Sequence, residues 1–92
     1  MKIGIRAFAR FREIFGEQSM LALPEGMTVA GALAAMAGPV AGGTAALFDR
    51  EGNLHRYVVV MLNGKRIGAG AAMSAELHDG DEVVIYPPVA GG

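Results

Sequence analysis

Cysteine and tryptophan are absent from this 92-residue chain, and lysine and histidine occur only as Lys2, Lys65, His55 and His78. Without cysteine there are no disulfides, no thiolate metal ligands and no thiol nucleophile, a composition that fits a reducing, cytoplasmic setting. Charge of either sign is scarce. Eight basic residues meet nine acidic ones for a net charge of −1, so neither nucleic acid nor an anionic membrane is an expected partner. Serine occurs only at Ser19 and Ser74, with no partner histidine visible in sequence. His55 and His78 stand far apart beside turns and read as solvated side chains, so no metal ligation is expected. Asp79-Gly80-Asp81 lacks the remaining positions and closing Glu of a calcium loop. Gly64-Lys65 lacks the upstream glycine and the following Ser/Thr of a P-loop. Gly68-Ala69-Gly70 lacks the strand-turn-helix setting of a dinucleotide site. No internal active site and no resident cofactor are expected.

What is present is apolar and short. At 52% hydrophobic residues the chain is too apolar for disorder, and its length allows one domain with one modest core. The 22 residues from Met27 to Phe48 carry no charge, long enough to span a bilayer. Their Ala/Gly content and the Gly38-Pro39 and Gly42-Gly43 breaks argue against insertion. The N-terminus has no apolar stretch of signal-peptide length.

Periodicity supplies the elements. Ile3, Ile5, Ala7 and Ala9 alternate with Lys2, Gly4, Arg6, Phe8 and Arg10 as in a half-buried strand. Phe11, Ile14 and Phe15 form one helical turn closed by Gly16. Residues 18–23 alternate again, and Pro24-Glu25-Gly26 ends that run. Thr28 is the expected N-cap of a helix with Val29, Leu33 and Met36 on one face, stopped at Gly38-Pro39. Residues 40–48 are poorly determined, with a second short helix one option, and residues 49–53 form a turn. The run Tyr57-Val58-Val59-Val60-Met61-Leu62 reads as a strand buried on both faces. Asn63-Gly64 is a hairpin turn into Lys65-Arg66-Ile67. Residues 68–75 read as a small-residue loop, and His78-Asp79-Gly80-Asp81 turns the chain into a last strand from Glu82 to Tyr86. The sum is an α+β domain with helices on one face of a sheet.

The remaining signal is the chain's end, Tyr86-Pro87-Pro88-Val89-Ala90-Gly91-Gly92. Glycine has no Cβ, so Gly91-Gly92 passes where no other residue fits. A terminal carboxylate is ionised at neutral pH and can attack the α-phosphorus of ATP when an enzyme supplies the electrostatics. Pro87-Pro88 stiffens the stem and removes two backbone donors. Residues 1–86 therefore read as the folded domain and residues 87–92 as an extended arm reaching roughly 20 Å.

Asp79-Gly80-Asp81-Glu82-Val83 followed by Pro87-Pro88-Val89-Ala90-Gly91-Gly92 resembles the ending of the MoaD/ThiS sulfur carriers. Phe8-Ala9-Arg10-Phe11-Arg12-Glu13-Ile14-Phe15-Gly16, Thr28-Val29 with Leu33, and Asn63-Gly64 are similar to the opening, helix start and hairpin of the same family. The resemblance implies a ubiquitin-like β-grasp fold, a mixed sheet under one main helix with first and last strands adjacent and parallel. It implies a protein co-substrate rather than an enzyme, at most the small subunit of molybdopterin synthase. A ubiquitin-activating-type enzyme (MoeB/ThiF-like) would adenylate Gly92, and a sulfur donor would convert it to a thiocarboxylate. A large, MoaE-like synthase subunit would then receive the arm, with Gly91 fitting its channel. The same resemblance leaves open a protein modifier forming isopeptide bonds and a carrier for thiamine or another sulfur pathway. Residues 38–56 make the chain longer than thiamine-pathway carriers.

Strand parity adds a docking expectation. If Ile3, Ile5, Ala7, Val83 and Ile85 point inward, Phe8 and Tyr86 point outward, side by side at the root of the arm. With Pro87, Pro88, Val89 and Ala90 they form the expected partner-binding set.

Overall fold

In the computed structural model, residues 1–88 are described; Val89, Ala90, Gly91 and Gly92 of the expected arm lie outside the described residues. The opening alternation becomes strand β1 (Lys2–Ala7), with Ile3, Ile5 and Ala7 buried. It ends two residues before the alternating pattern does. Ala9 adopts φ 54°, ψ −131°, and the chain turns there into helix α1 (Arg10–Phe15), which buries Phe11 completely. Strand β2 (Gln18–Ala22) returns antiparallel to β1, pairing Arg6 with Gln18 and Lys2 with Ala22.

Thr28 is extended and its Oγ1 accepts a hydrogen bond from the Gly31 amide at 3.1 Å, the expected N-cap of helix α2 (Val29–Ala37). Val29, Leu33 and Met36 are buried on its inner face, and the helix gives out before Pro39. The undetermined Ala/Gly stretch holds a short helix, α3 (Gly43–Leu47), whose Leu47 joins the core. It lies close against α2: a Cβ at Gly43 would stand 2.5 Å from the Ala37 carbonyl oxygen, so no other residue fits without displacement.

Strand β3 (Val59–Leu62) is shorter than the apolar run that encodes it. The Val58 amide donates to the His55 carbonyl at 3.1 Å, a turn that takes Tyr57 out of the sheet. The expectation of burial on both faces holds only at the centre of the run: Val58, Val59 and Val60 are buried, whereas Met61 and Leu62 are half-buried and Tyr57 is exposed. Toward Leu62 the outward face opens, beginning at Met61. Asn63 and Gly64 take φ of 50° and 83°, a left-handed pair that closes the tight hairpin into strand β4 (Lys65–Ile67). The stretch read as a loop contains one helical turn, α4 (Ala69–Ala72), with Ala72 buried; alanine's high helix propensity suits a turn with one covered side. Strand β5 (Glu82–Tyr86) completes the sheet.

The strand order is β2-β1-β5-β3-β4. β5 lies between β1, to which it runs parallel, and β3, to which it runs antiparallel. One face carries Ile3, Ile5, Val60, Val83 and Ile85 into a core shared with Val29, Leu33, Met36, Leu47 and Leu77. Among the described residues no helix is long and apolar enough to cross a membrane.

The end of the sheet where β1 and β5 begin is tied by side-chain hydrogen bonds. Asp81 accepts from Asn63 Nδ2 at 2.9 Å and from the His78 amide at 2.7 Å. Asn63 Oδ1 accepts from the Glu82 amide at 2.9 Å, and Asp79 Oδ1 accepts from the Lys2 amide at 2.7 Å. The Asn63 bond, then the His78 amide, hold the Asp81 carboxyl below its ordinary value of 3.8. A folded-state pKa below the unfolded one means that its stabilisation is complete above the unfolded value and disappears as pH falls through the folded value. We therefore expect stability to fall as pH drops below 3.8. Asp81→Ala should cost about 2 kcal/mol at neutral pH and flatten that part of the acid limb, as read by urea midpoints across pH.

Candidate functional site: the open sheet face at the arm root

The alternation in β5 turns Val83 and Ile85 to the core and leaves Val84 and Tyr86 on the uncovered face. Pairing extends that face across the sheet, because residues directly opposite in a ladder point the same way. Arg6 pairs with Val84, Val84 with Met61, and Met61 with Arg66, giving one row from β1 to β4. The next row toward the arm sets Tyr86 opposite Val59. Phe8 continues β1 beside Tyr86: Ala7 pairs with Ile85, and the Phe8 amide donates to the Ile85 carbonyl at 3.1 Å. Phe8 is 39% exposed. Tyr86 is less exposed than parity alone suggested, half-buried with its hydroxyl donating to Met61 Sδ at 3.7 Å.

Thus the structure brings together the described members of the expected docking set. Phe8 and Tyr86 flank the point where the chain leaves the sheet as half-buried Pro87 and exposed Pro88. Sequence reading missed the rest of the platform. Met20, 64% exposed, lies opposite Gly4, and a Cβ on that glycine would stand 3.4 Å from its sulfur. Half-buried Met61 and Val84 extend the apolar strip toward β4, with Arg6 and Arg66 at its two sides, while Val59 opposite Tyr86 is buried. Parity holds this information for each strand separately, but joining the strands needs the register.

Two clefts of about 540 and 530 Å³ occur among the described residues, around Met73 and the turn at Asp49. Neither is lined by Phe8, Tyr86 or Pro87. The face beside Pro87 is the open side of the sheet, an apolar platform among the described residues.

The ThiS family profile matches residues 5–92. The chain belongs to the ThiS family. Its ubiquitin-like members are small sulfur carriers and protein modifiers. Small archaeal modifier protein 3 of Haloferax volcanii is 33% identical over 93 residues, covering all of both chains. The crystal structure of SAMP1 from Haloferax volcanii superposes with a TM-score of 0.85 at 27% identity, again covering all of both chains. A Pyrococcus furiosus structure named for molybdopterin converting factor, subunit 1, gives a TM-score of 0.75 at 27% identity over 97% of this chain and 99% of that one. The mixed five-stranded sheet with its covering helix is the ubiquitin-like β-grasp fold.

In this ThiS-family protein the arm root is held by an unusual backbone. The Phe8 carbonyl accepts from the Phe11 amide at 3.2 Å, and Ala9 between them occupies a region that favours glycine. Such a conformation costs of order 1–3 kcal/mol in a residue with a Cβ. Ala9→Gly is therefore expected to stabilise the fold by about 1 kcal/mol after glycine's own entropic cost, raising Tm by about 4–8 °C. An unchanged or lower calorimetric Tm would contradict this.

Behind that turn, Arg10 lies over both Phe11 and Tyr57, its guanidinium carbon 5.2 and 5.1 Å from the ring centroids. The Tyr57 ring stacks on His55 with centroids 4.7 Å apart. His55 was expected to be a solvated turn residue. Instead its Nε2 donates to the Ala45 carbonyl at 3.0 Å, while the Tyr57 hydroxyl donates to the Ala46 carbonyl at 3.5 Å. The pair satisfies carbonyls left open at the end of α3. His78 remains exposed at the opposite end of the sheet.

Proposed function

We propose that this protein is a sulfur carrier of the molybdopterin type, with residues 87–92 as its reactive arm. The Gly92 carboxylate attacks the α-phosphorus of ATP on a ubiquitin-activating-type enzyme, displacing pyrophosphate and forming an acyl-adenylate. A sulfur nucleophile then displaces AMP and leaves a thiocarboxylate for delivery on the large synthase subunit. The observation that supports this reading best is the exit of β5: the strand leaves the sheet between exposed Phe8 and the open apolar face and continues as Pro87-Pro88. The converting-factor name of the Pyrococcus furiosus neighbour points to the same pathway.

A second reading, protein modification through an isopeptide bond from Gly92 to target lysines, is favoured by the full-length match to small archaeal modifier protein 3. Both share the adenylation step. The experiment that tests the carrier is intact-mass measurement of protein isolated from native cells, with oxygen replaced by sulfur at the terminus as the expected product. Gly92 found only in lysine adducts, with no thiocarboxylate, would favour the modifier.

Docking itself is open to test. Phe8→Ala is expected to weaken binding to the activating enzyme by about 1–3 kcal/mol in calorimetry while leaving Tm unchanged. Tyr86→Ala should weaken binding to a similar extent but also lower Tm, because Tyr86 is half-buried and bonded to Met61. Undiminished binding by both would place the docking surface elsewhere.

A further inference from the structure

The balanced net charge conceals a separation along the strands. Glu25, Glu76, Asp79, Asp81 and Glu82 lie at the end where β1 and β5 begin: Leu23 donates to the Met1 carbonyl, Thr28 bridges Glu76, and Gly80 donates to the Lys2 carbonyl. At the other end Arg10 and Arg12 follow β1 on α1, and Arg56 sits in the turn before β3. Glu13 on α1 and Glu17 share that end, Glu17 being paired with Arg12 at 3.8 Å. Lys2 and Lys65 offset part of the acidic end, so the separation is one of excess rather than of complete segregation. Among the described residues, no carboxylate lies within ion-pair distance of Arg6, Arg10, Arg56 or Arg66. Arg6 is held instead over the Phe8 ring at 5.4 Å, which keeps its charge on the platform.

The row Arg6–Val84–Met61–Arg66 therefore sets a cation on either side of an apolar strip. Its ends are three inter-strand spacings apart, roughly 14 Å. We infer that the protein surface receiving this face is apolar at its centre and carries carboxylates on two opposite sides. The separated charge also turns the arm end toward that surface before contact. This rests on the carrier or modifier reading above and specifies the partner's chemistry. A surface matched to one arginine alone would accept the chain in several rotations; two matched sides set a single register, which fixes where the arm points. Steering of this kind appears in association and weakens with salt.

The test is ATP–pyrophosphate exchange by the purified adenylating enzyme of the same organism, with the carrier as varied substrate, at low and high ionic strength. Arg6→Glu and Arg66→Glu should each raise KM about ten-fold at low salt with kcat unchanged, and the gap should narrow as salt rises. Lys2→Glu, an equal charge change at the opposite end of β1, should remain within about two-fold of wild type. Far-ultraviolet circular dichroism melts would confirm that all three fold. If wild type supports exchange but the arginine variants match it, or if Lys2→Glu loses as much as they do, this inference is overturned and the carrier reading survives. No exchange by wild type overturns both. Two further results would overturn the acidic partner surface: arginine-dependent binding of a total tRNA pool in filter assays, or arginine-dependent self-association in sedimentation.

Discussion

Gly91→Val should lower ATP–pyrophosphate exchange by at least about a hundred-fold while leaving the melting temperature where it was. On the proposed mechanism the branched side chain blocks passage of the arm through a channel shaped for glycine. Even a displacement of about 1 Å at the reacting carboxylate can cost that factor when attack depends on alignment. The substitution falls outside β5, whose Val83 and Ile85 are the strand's contribution to the core. Deleting Gly91-Gly92 should have the same effect. Pro87-Pro88→Gly-Gly should do less, weakening binding modestly by giving the stem more conformational freedom to lose. Exchange by Gly91→Val at the wild-type rate would remove the threaded arm from the account, whatever the fold.

Phe11→Ala should be the most damaging single change to the domain. Its ring is fully buried between α1 and the sheet, with the Arg10 guanidinium against it. Truncating such a side chain typically costs 3–5 kcal/mol, of the same order as the whole stability of many small domains. The midpoint of urea unfolding should collapse accordingly, and the Arg10 guanidinium should lose one of its two aromatic partners while keeping Tyr57. Ile14→Ala, at a half-buried position on the same helix, should cost distinctly less. A Phe11→Ala midpoint within the range of ordinary surface substitutions would mean that α1 is not anchored as described.

Local chemistry made much of this fold readable in advance. Thr28 with Val29, Leu33 and Met36 encodes both the start and the inner face of α2, because the cap and the apolar stripe depend on residues within one helix. Asn63-Gly64 encodes its hairpin for the same reason: the required dihedrals belong to two adjacent residues. The alternation that placed Phe8 and Tyr86 on the open face was likewise intrinsic to each strand. Their adjacency came from the family resemblance, since no local pattern shows that β1 and β5 pair.

The errors fall where a residue's fate depends on distant chain. Ala9 looked like the last member of an alternating strand, but the turn that buries Phe11 overrode that pattern. Tyr57 looked like a strand residue, and His55, correctly placed at a turn, looked like a side chain with no partner; α3, ten or eleven positions earlier, offers the carbonyls that both side chains satisfy. Met20, Met61, Arg6 and Arg66 carried no motif at all. Their place on one platform follows from the ladders Gly4↔Met20, Arg6↔Val84, Val84↔Met61 and Met61↔Arg66, which single-strand periodicity does not contain.

The position of β5 has a consequence for how the molecule is made. This strand is last in sequence yet stands between β1 and β3, so Gly4 must find Glu82 across almost the full length of the chain. Such long-range closure favours folding in milliseconds to seconds rather than microseconds. A nascent chain that has emerged only to residue 81 has two separate hairpins and no strand to join them. Synthesis must pass the end of β5 before the sheet can close. Insertion of β5 also creates the row of side chains next to the exit at Pro87, so the proposed docking platform forms in the same event that completes the core. A partner that requires this platform thereby discriminates against unfinished or unfolded copies, a form of quality control exercised by recognition alone.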